Sequence, residues 1–464
     1  MCSFVAGPVF AHAALLPDGW ANDVVLRWDA AGRLTGVERE AAQPAAATVA
    51  PGPVLPGMPN LHSHAFQRAF AGLTEHRASV DDDFWSWRTA MYRFALALEP
   101  AQLQAIATWL YIEMLESGYT SVCEFHYLHH DPAGHAYADP ATLAQALLAA
   151  ARDAGIGLTL LPVLYQSGGF GGQPASAEQR RFLHSTDALL RLLERLAPIC
   201  AAGGVRLGLA PHSLRAVPPA ALQHVLAGLD ALDPTAPIHI HVAEQTREVD
   251  DCIAWSGLRP VQWLLDHAPV DARWCLVHAT HLDADETARA ARSGAVAGLC
   301  PTTEANLGDG VFDFAGWRRH GGAWGIGSDS HVCVNAAEEL LLLEYGQRLT
   351  RRARNVGADP AQPDVATALM LAAVAGGARA HGRPVAGLAV GQLADFVVLD
   401  AEHVALRGLA GATQLAAHVF ASQRTSAIAE TWVGGRRVVT RDGHPDRAAA
   451  VAAFAAARDR LLGA

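Results

Sequence analysis

The sequence predicts an α/β protein, a (β/α)8 TIM-type barrel with a small β domain formed from both termini. Apolar runs of strand length alternate with long Ala/Leu-rich stretches through the middle of the chain, and both ends contain short strand-like stretches. The 464 residues suit one barrel with an addition. A doubly wound sheet is the alternative, but it would carry a Gly-rich fingerprint after its first strand, which this sequence lacks.

Both ends of the chain contribute to the predicted small β domain. Residues 1–56 and 388–445 contain short apolar stretches separated by Gly, Pro and polar residues, a pattern typical of short strands. We assign these two ranges to one β-sandwich-like domain. Residues 446–464 are rich in Ala and Arg without a helix breaker, which predicts a C-terminal helix.

Residues 57–387 are assigned to the barrel. Most candidate strands here are followed by a longer helical stretch, which is the pattern of βα units in a parallel sheet. The eight candidate strands are Val54–Leu61, Ser121–Phe125, Leu158–Leu164, Arg206–Ala210, Ile238–Val242, Cys275–His278, Ala295–Leu299 and Gly325–Ser328.

The composition excludes several classes of function. The net charge of −11 argues against a nucleic acid or an anionic membrane as partner. We find no run of about 18 apolar residues that would span a membrane and no signal peptide, so we expect a cytoplasmic protein. The seven scattered cysteines, without a C-x-x-C pair, are typical of a reducing compartment. All 35 basic residues are arginines, so the chain has no lysine that could be carbamylated to bridge two metal ions.

Polar residues recur at the carboxyl ends of four predicted strands, where a barrel builds its functional site. They are His62 and His64 at strand one, His241 and Glu244 at strand five, His278 at strand six and Asp329 at strand eight. Since buried polar groups are costly without partners, packing alone does not explain this recurrence. Three histidines and one carboxylate suit Zn²⁺ or Fe²⁺ with an open position for water. His239 faces the same side of strand five as His241, so the spacing leaves both as candidate ligands.

Several motifs together resemble a known family. They are the run from Pro56 to Arg68 (PGMPNLHSHAFQR), AGLTE at 71–75, EFHY at 124–127, APHSLR at 210–215, HIHVAEQ at 239–245 and GSDS at 327–330. These motifs resemble the amidohydrolase superfamily and, within it, the formimidoylglutamate deiminases of histidine degradation. The resemblance covers nearly the whole chain.

The resemblance implies an enzyme with a single metal ion. The implied ligands are His62, His64, His241 and Asp329. His239 is left as a core or supporting histidine. We expect one divalent ion per chain, zinc with ferrous iron as the alternative, and the missing lysine agrees with a single ion. Glu244 would shuttle protons, His278 would polarise or orient the reacting centre, and Asp329 would accept a proton near the metal.

The implied reaction is the hydrolysis of N-formimino-L-glutamate to N-formyl-L-glutamate and ammonia. This substrate carries two carboxylates, and in a chain without lysine the matching positive charge has to come from arginine. Arg215, just after strand four, is the first candidate, and the resemblance adds Gln67, Tyr127 and His212 as substrate contacts. Arg88 is a further candidate, although its aromatic-rich segment could instead form a dimer contact or a lid.

Two other functions are compatible with parts of this pattern. An aminohydrolase of a ring amidine, such as guanine or another nucleobase, would use the same metal and acid–base residues, but a flat neutral ring does not need Arg215. A non-catalytic scaffold of the same fold is expected where metal ligands are lost, and here all of them are present.

Other segments are given structural interpretations. A histidine cluster after strand two is expected to be a solvated loop and not a second metal site; its members are His126, His129, His130 and His135. Glu304 and Asn306 are expected near the mouth of the barrel without a chemical role. We expect a homodimer, with the apolar segments around Trp85 and Leu340–Leu343 as candidate contacts.

Overall fold

The fold contains 17 strands and 14 α-helices within the part of the chain that the computed structural model describes, residues 7–75, 84–422 and 425–463, with the backbone alone for 84–86. The strands are β1 (Val9–Leu16), β2 (Gly19–Trp28), β3 (Leu34–Glu38), β4 (Thr48–Val49), β5 (Val54–Pro56), β6 (Met58–Ser63), β7 (Tyr119–His126), β8 (Gly157–Leu164), β9 (Arg206–Leu207), β10 (Ala210–Pro211), β11 (Ile238–Val242), β12 (Trp274–His278), β13 (Val296–Leu299), β14 (Ala323–Ile326), β15 (Phe396–Leu399), β16 (Ile428–Val433) and β17 (Arg436–Val439). The helices are α1 (Phe84–Ala97), α2 (Pro100–Glu116), α3 (Thr142–Ala154), α4 (Thr186–Ala202), α5 (Pro219–Leu232), α6 (Thr246–Ser256), α7 (Pro260–His267), α8 (Ala284–Ser293), α9 (Pro301–Leu307), α10 (Phe314–Arg319), α11 (Ala336–Arg351), α12 (Val365–His381), α13 (Ala412–Ala421) and α14 (Arg447–Gly463).

Strands β6 to β14 form a closed parallel barrel. Strands β6 to β10 pair in one group and β11 to β14 in another. Parallel bridges join the two groups on both sides, from Leu209 to Ile238 on one side and from Ser63 to Asp329 on the other. Since β9 and β10 occupy one strand position, the barrel has eight positions, and the predicted TIM-type fold is confirmed.

Two predicted strands are divided in the structure, which corrects their bounds. The stretch predicted as strand one forms β5, which pairs with β15, and β6, which pairs with β7. Gly57 lies at the junction, where a Cβ would be 2.3 Å from the side chain of Thr120, so no larger residue fits without a shift. Predicted strand four is interrupted between β9 and β10. Predicted strand eight ends at Ile326, so Asp329 lies in the loop that follows.

Both ends of the chain build a second sheet. Its strand order is β17-β16-β15-β5-β1-β2-β3, and β4 pairs with β1, so hydrogen bonds connect all eight strands into one sheet. Its buried residues include a stacked pair, Phe396 and Trp432, whose ring centroids are 5.2 Å apart, with Trp28 packed edge-on against Trp432. The small β domain therefore comes from both termini, as predicted, whereas its proposed limits in sequence stay a prediction.

Helix α12 closes the end of the barrel opposite the mouth. Nε2 of His381, its last residue, lies 3.0 Å from the carbonyl oxygen of Asn60 in β6, and Nε2 of His239 lies 2.8 Å from the carbonyl oxygen of Ala380. His239 thus has a backbone partner inside the barrel and lies outside the group of possible metal ligands that contains His241. The side chain of His239 is a core histidine.

The outer helices complete the core. Helix α14 packs on α2, with the rings of Trp109 and Phe454 in contact at 6.4 Å. Leu340 and Leu343 of α11 are buried within this chain, whereas Leu341 and Leu342 are partly exposed, so the dimer contact expected at Leu340–Leu343 stays a prediction. The side chain of Trp85 lies outside the described residues. Within the described ranges, the structure contains no helix with the length and apolar character of a membrane span.

The close approach of α12 to the barrel gives a stability prediction. A Cβ at Gly376 would lie 1.8 Å from the carbonyl oxygen of Trp324 in β14, so Gly376→Ala should push the helix outward and destabilise the protein by about 1–3 kcal/mol. The matched control is Gly346→Ala in α11, where the nearest atom would be 3.9 Å away and where alanine favours a helix by up to about 1 kcal/mol. Thermal unfolding should show a lowered Tm for Gly376→Ala only; equal Tm values for the two variants would contradict this packing.

Candidate metal centre and active site

Three histidines and one carboxylate converge at the mouth of the barrel. Nε2 of His62 lies 3.1 Å from Nε2 of His64 and 3.0 Å from Nε2 of His241. Oδ1 of Asp329 lies 3.4 Å from Nε2 of both His62 and His64. All four side chains are buried, and one donor atom from each lies within 4.8 Å of the others. The structure therefore brings together the four residues predicted as metal ligands.

Backbone carbonyl groups orient two of these imidazoles. Nδ1 of His64 donates to the carbonyl oxygen of Phe125 at 3.1 Å, and Nδ1 of His241 donates to that of His212 at 3.2 Å. With the proton on Nδ1, each Nε2 presents a lone pair to the centre of the cluster. Burial, reinforced by the neighbouring rings, lowers the pKa of His64 to about 3 and that of His241 well below its usual value, so both rings are neutral. Converging lone pairs beside a carboxylate fit a divalent cation.

Residues with left-handed backbone conformations surround the cluster. The φ angles are 53° at Ala243, 65° at His278 and 45° at Asp329. Such a conformation costs a non-glycine residue about 1–3 kcal/mol and persists only where other contacts hold it. At Asp329 the N–H group donates to the carbonyl oxygen of His62 at 3.0 Å, and its carbonyl oxygen accepts from the N–H of His64 at 3.1 Å. These bonds, rather than a strand, hold Asp329 beside the histidines.

A buried hydrogen-bond network connects the segments that carry the proposed ligands. The hydroxyl of Ser63 donates to Oε2 of Glu124 at 2.6 Å and lies 3.2 Å from Nε2 of His331. Nδ1 of His331 lies 3.0 Å from Oγ of Ser328, which accepts from the side-chain amide of Asn60 at 2.7 Å. The network connects β6, β7 and the loop after β14. It therefore fixes the relative positions of the segments that carry three of the four ligands.

His278 lies among three buried carboxylates. Its Nε2 is 3.7 Å from Oε1 of Glu244 and 3.6 Å from Oδ2 of Asp329, and its Nδ1 is 3.3 Å from Oε1 of Glu304. Burial opposes a charged imidazole, but these carboxylates raise the pKa of His278 well above its usual value. Burial also raises the pKa of Glu244 to about 7, so this carboxyl group holds and releases a proton near neutral pH. Glu304, given no chemical role from the sequence, orients His278.

Arg215 is placed between two buried acids. Its guanidinium lies 3.9 Å from Oε2 of Glu244 and 4.0 Å from Oε2 of Glu248. Glu248, in the first turn of α6, also accepts a hydrogen bond from the backbone N–H of Glu244 at 3.1 Å. Glu248 carries no functional signal in the sequence, because an acidic residue in the first turn of a helix is normally explained by capping.

A cavity lined by described residues connects the cluster to solvent. It measures about 590 Å³ with its open mouth. All the residues proposed from the sequence for substrate binding or proton transfer line it: Gln67, Arg88, Tyr127, His212, Arg215, Glu244, His278 and Asp329. The sequence analysis missed part of the wall: Trp87, Met91, Tyr92, Tyr165, Phe182 and Leu307. Tyr165 follows β8 directly, and this strand-end position is the signal that could have identified it.

The histidines at the end of β7 and in the segment after it are mostly buried, which corrects the expectation of a solvated loop. His126 and His129 are 4% and 2% exposed, and the ring of His184 lies 4.2 Å from that of His129. Nε2 of His129 and Nε2 of His130 each lie within 2.9 Å of a backbone carbonyl oxygen, and His135 is exposed. In the described part of the chain, these side chains form no group of three with ligand atoms close enough for a metal ion. We interpret the buried members of this cluster as packing residues.

The fold and the cluster of three histidines and Asp329 are consistent with one class of protein, which the comparisons identify. The model of the amidohydrolase family matches residues 54–438, and the chain belongs to that family. A second model, the N-terminal domain of formimidoylglutamate deiminase HutF, matches residues 7–48. The chain is 52% identical to the formimidoylglutamate deiminase of Pseudomonas aeruginosa, over 98% of this chain and 99% of that protein.

Two further comparisons support the same placement. A crystal structure of an amidohydrolase from Brucella melitensis superposes with a TM-score of 0.93 at 48% identity, covering 98% of this chain and 100% of that one. A 5-methylthioadenosine/S-adenosylhomocysteine deaminase from Natronomonas pharaonis is 26% identical over 83% of this chain and 81% of that protein. The similarity to the Pseudomonas enzyme is thus much greater than the similarity to the nucleoside deaminase.

The convergence of His62, His64, His241 and Asp329 predicts the metal content. We expect about one divalent transition metal ion per chain by elemental analysis, since these residues supply one set of four ligands. His241→Ala should lose most of the metal, whereas His239→Gln, on the same strand but bonded to a backbone carbonyl, should retain it. Two metal ions in the wild-type protein, or equal metal contents in the two variants, would contradict this assignment.

Proposed function

We propose that this protein is a formimidoylglutamate deiminase, which hydrolyses N-formimino-L-glutamate to N-formyl-L-glutamate and ammonia in histidine degradation. The observation that carries the proposal is the presence, in one cavity, of a histidine–carboxylate metal centre, a buried acid–base pair and two arginines. The identity of 52% over 98% of the chain to the Pseudomonas enzyme supports the same reaction.

The metal ligands would be His62, His64, His241 and Asp329, and zinc is the ion we favour over ferrous iron. When bound, such an ion lowers the pKa of a water molecule from about 15.7 to about 7 and so supplies hydroxide at neutral pH. Nitrogen and carboxylate donors suit zinc and are also accepted by ferrous iron. The chain has no lysine to bridge a second ion, which supports a single-metal centre.

Glu244 is the proposed proton shuttle. When a water molecule attacks the amidine carbon, a C–O bond forms. One proton of this water passes through the Glu244 carboxylate to the terminal nitrogen of the amidine. The remaining O–H proton is then transferred, with Asp329 as acceptor, to the terminal nitrogen. The bond between the carbon and the terminal nitrogen breaks, ammonia leaves, and the carbon becomes a formyl group. His278, 3.7 Å from Glu244 and 3.6 Å from Asp329, would orient the oxygen between the two acids.

The cavity wall supplies the groups that would bind the rest of the substrate. Arg215 and Arg88 line the cavity and would pair with the two carboxylates. The amide of Gln67 donates to the hydroxyl of Tyr127 at 2.9 Å, and its buried Oε1 has no hydrogen-bond partner among the described residues. This oxygen is suited to accept an N–H group of the amidine. His212, held beside His241, completes this side of the pocket.

A ring-amidine aminohydrolase is less consistent with this cavity. The Natronomonas relative is named as a deaminase of nucleoside compounds, and it shares the family and only about a quarter of its residues with this chain. A neutral ring offers no anionic partner to the guanidinium N–H donors with which Arg88 and Arg215 line the cavity, and a guanidinium fork matches a carboxylate. A dicarboxylate supplies that partner.

Glu244 provides the direct test of the reaction. Wild-type protein should release ammonia from N-formimino-L-glutamate and not from guanine, and Glu244→Gln should lower kcat by about 10²–10⁴-fold because the shuttle no longer titrates. The metal content of the variant should stay unchanged, since Glu244 is not among the metal ligands. Ammonia release from guanine alone would contradict the proposed substrate, and near-normal turnover by Glu244→Gln would exclude this residue as the shuttle.

Arg215 provides the test of carboxylate recognition. Arg215→Met should raise KM for N-formimino-L-glutamate because a carboxylate then loses its buried charged partner, at a cost of about 2–5 kcal/mol, or about 30-fold or more in kcat/KM. The loss should be smaller for a formimino analogue that lacks the carboxylate contacted by Arg215. Equal losses for both substrates, or none, would show that Arg215 is not the clamp. Metal content serves as the control for folding.

A further inference from the structure

Two tyrosines and a glutamine form an interacting group in the cavity wall. Tyr92 comes from α1 and Tyr165 from the end of β8, and both line the cavity. Gln179, at the end of a short 3₁₀ helix (Ala177–Gln179), lies behind them and is buried. Its side-chain NH₂ group donates to the hydroxyl oxygen of Tyr165 at 2.5 Å and to that of Tyr92 at 3.2 Å.

The orientation of the Gln179 amide is fixed by its other end. Oε1 accepts a hydrogen bond from the backbone N–H of Ser176 at 2.8 Å, in a capping box around the 3₁₀ helix. The NH₂ group must therefore point to the tyrosines, and each of its hydrogens is used by one hydroxyl oxygen. Both tyrosines are hydrogen-bond acceptors towards Gln179, so their own O–H hydrogens remain to be donated elsewhere.

At most one of these two hydrogens can be shared between the hydroxyl groups. The described residues show no other protein acceptor for either tyrosine, so at least one O–H group is left for a molecule in the cavity. Burial raises the pKa of Tyr165 above its usual value, so its hydroxyl stays protonated at neutral pH. The pair is thus a neutral donor on the cavity wall.

The tyrosine pair lies next to the two arginines of the cavity. The guanidinium carbon of Arg88 is 5.6 Å from the centre of the Tyr92 ring. Residues 166 and 167, which follow Tyr165, donate backbone hydrogen bonds to the carbonyl oxygen of Ala216 at 2.8 and 3.0 Å, and the hydroxyl of Ser167 donates to that of Arg215 at 3.0 Å. These bonds tie the segment that carries Tyr165 to the segment that carries Arg215.

A carboxylate needs more donors than one arginine supplies. Its two oxygens accept about four hydrogen bonds, and a guanidinium fork fills two of them. Neutral hydroxyl donors satisfy the remaining lone pairs without adding another buried charge, which would need a counter-ion.

We propose that Tyr92 and Tyr165, oriented by Gln179, are specificity-determining residues that donate hydrogen bonds to a carboxylate of the substrate beside Arg88 and Arg215. This inference rests on the proposed function, because it takes the dicarboxylate as the ligand. Tyr92 and Tyr165 contact the substrate, and Gln179 is a positioning residue that acts through them.

The test uses the double variant Tyr92→Phe/Tyr165→Phe, which removes the hydroxyl groups and keeps the rings. KM for N-formimino-L-glutamate should rise by about 10- to 100-fold, with kcat within about threefold, because a hydrogen bond to a charged group is lost in the bound state. The single variants show which hydroxyl contributes. Gln179→Leu should raise KM in the same direction. The control is Tyr119→Phe, which removes a buried hydroxyl that does not line the cavity and should leave KM unchanged.

Two truncated substrates assign the contact. N-formimino-L-2-aminobutyrate lacks the side-chain carboxylate, and N-formimino-4-aminobutyrate lacks the α-carboxylate. The rise in KM should disappear for the analogue that lacks the carboxylate bound by the tyrosines. An unchanged KM for N-formimino-L-glutamate, or the same rise for all three substrates, would overturn the inference.

A binding measurement separates this inference from the proposed function. Calorimetry with N-formyl-L-glutamate, which carries the same two carboxylates, should show a Kd about 10- to 100-fold higher for the double variant than for the wild type. If the wild type releases no ammonia from N-formimino-L-glutamate but the Kd difference is found, the proposed function fails and the carboxylate site stands. If ammonia is released and Kd is unchanged, the function stands and the carboxylate site fails.

Discussion

The pair of backbone hydrogen bonds between Asp329 and strand β6 is the constraint on which the rest of the site depends. These bonds close the barrel at the point where its first and last strand positions meet, and they place a carboxylate beside His62 and His64. The left-handed backbone of Asp329 costs about 1–3 kcal/mol, so the closure has to be held by its surroundings. The network that includes Ser328 and His331 does this, because its buried polar groups bond to one another across the same junction. The positions of the four proposed ligands are therefore built into the fold.

In the cavity next to the candidate metal centre, buried charges of opposite sign lie close to one another. Arg215 lies between Glu244 and Glu248, and His278 lies among carboxylates that stabilise its charged form. Each charge has an opposite charge nearby, which limits the free-energy cost of removing it from water. Glu244 lies 3.7 Å from His278 beside the histidine cluster, and Arg88 and Arg215 line the cavity wall, so a substrate with an amidine at one end and carboxylates at the other matches this arrangement. This polarity connects the geometry of the site to the deimination of a dicarboxylate.

Histidine has a different role at each end of the barrel. The role depends on which ring nitrogen is hydrogen-bonded and on what the other nitrogen faces. At the closed end, one nitrogen of His239 and one of His381 lie against backbone carbonyl oxygens, and both rings belong to the core. At the mouth, His64 and His241 also donate to carbonyl groups, but through Nδ1, so that Nε2 faces the centre of the cluster. The rings are chemically identical, and the tertiary structure alone determines whether the second nitrogen meets packed atoms or a metal site.

The sequence by itself determined the fold class and most of the candidate metal centre. Alternating strand and helix stretches specify a parallel barrel, and the carboxyl ends of its strands meet at one mouth, so polar residues such as His62 and Glu244 were predicted to converge there. The choice of His241 over His239 needed the family resemblance, because both lie on the same side of the strand. Only the tertiary structure decided the wall around Tyr165 and Gln179 and the place of Glu248 beside Arg215, because these contacts join segments whose local sequence resembles ordinary packing or helix capping. The tertiary structure also decided that His129 is buried, since burial depends on which other segments pack against its loop.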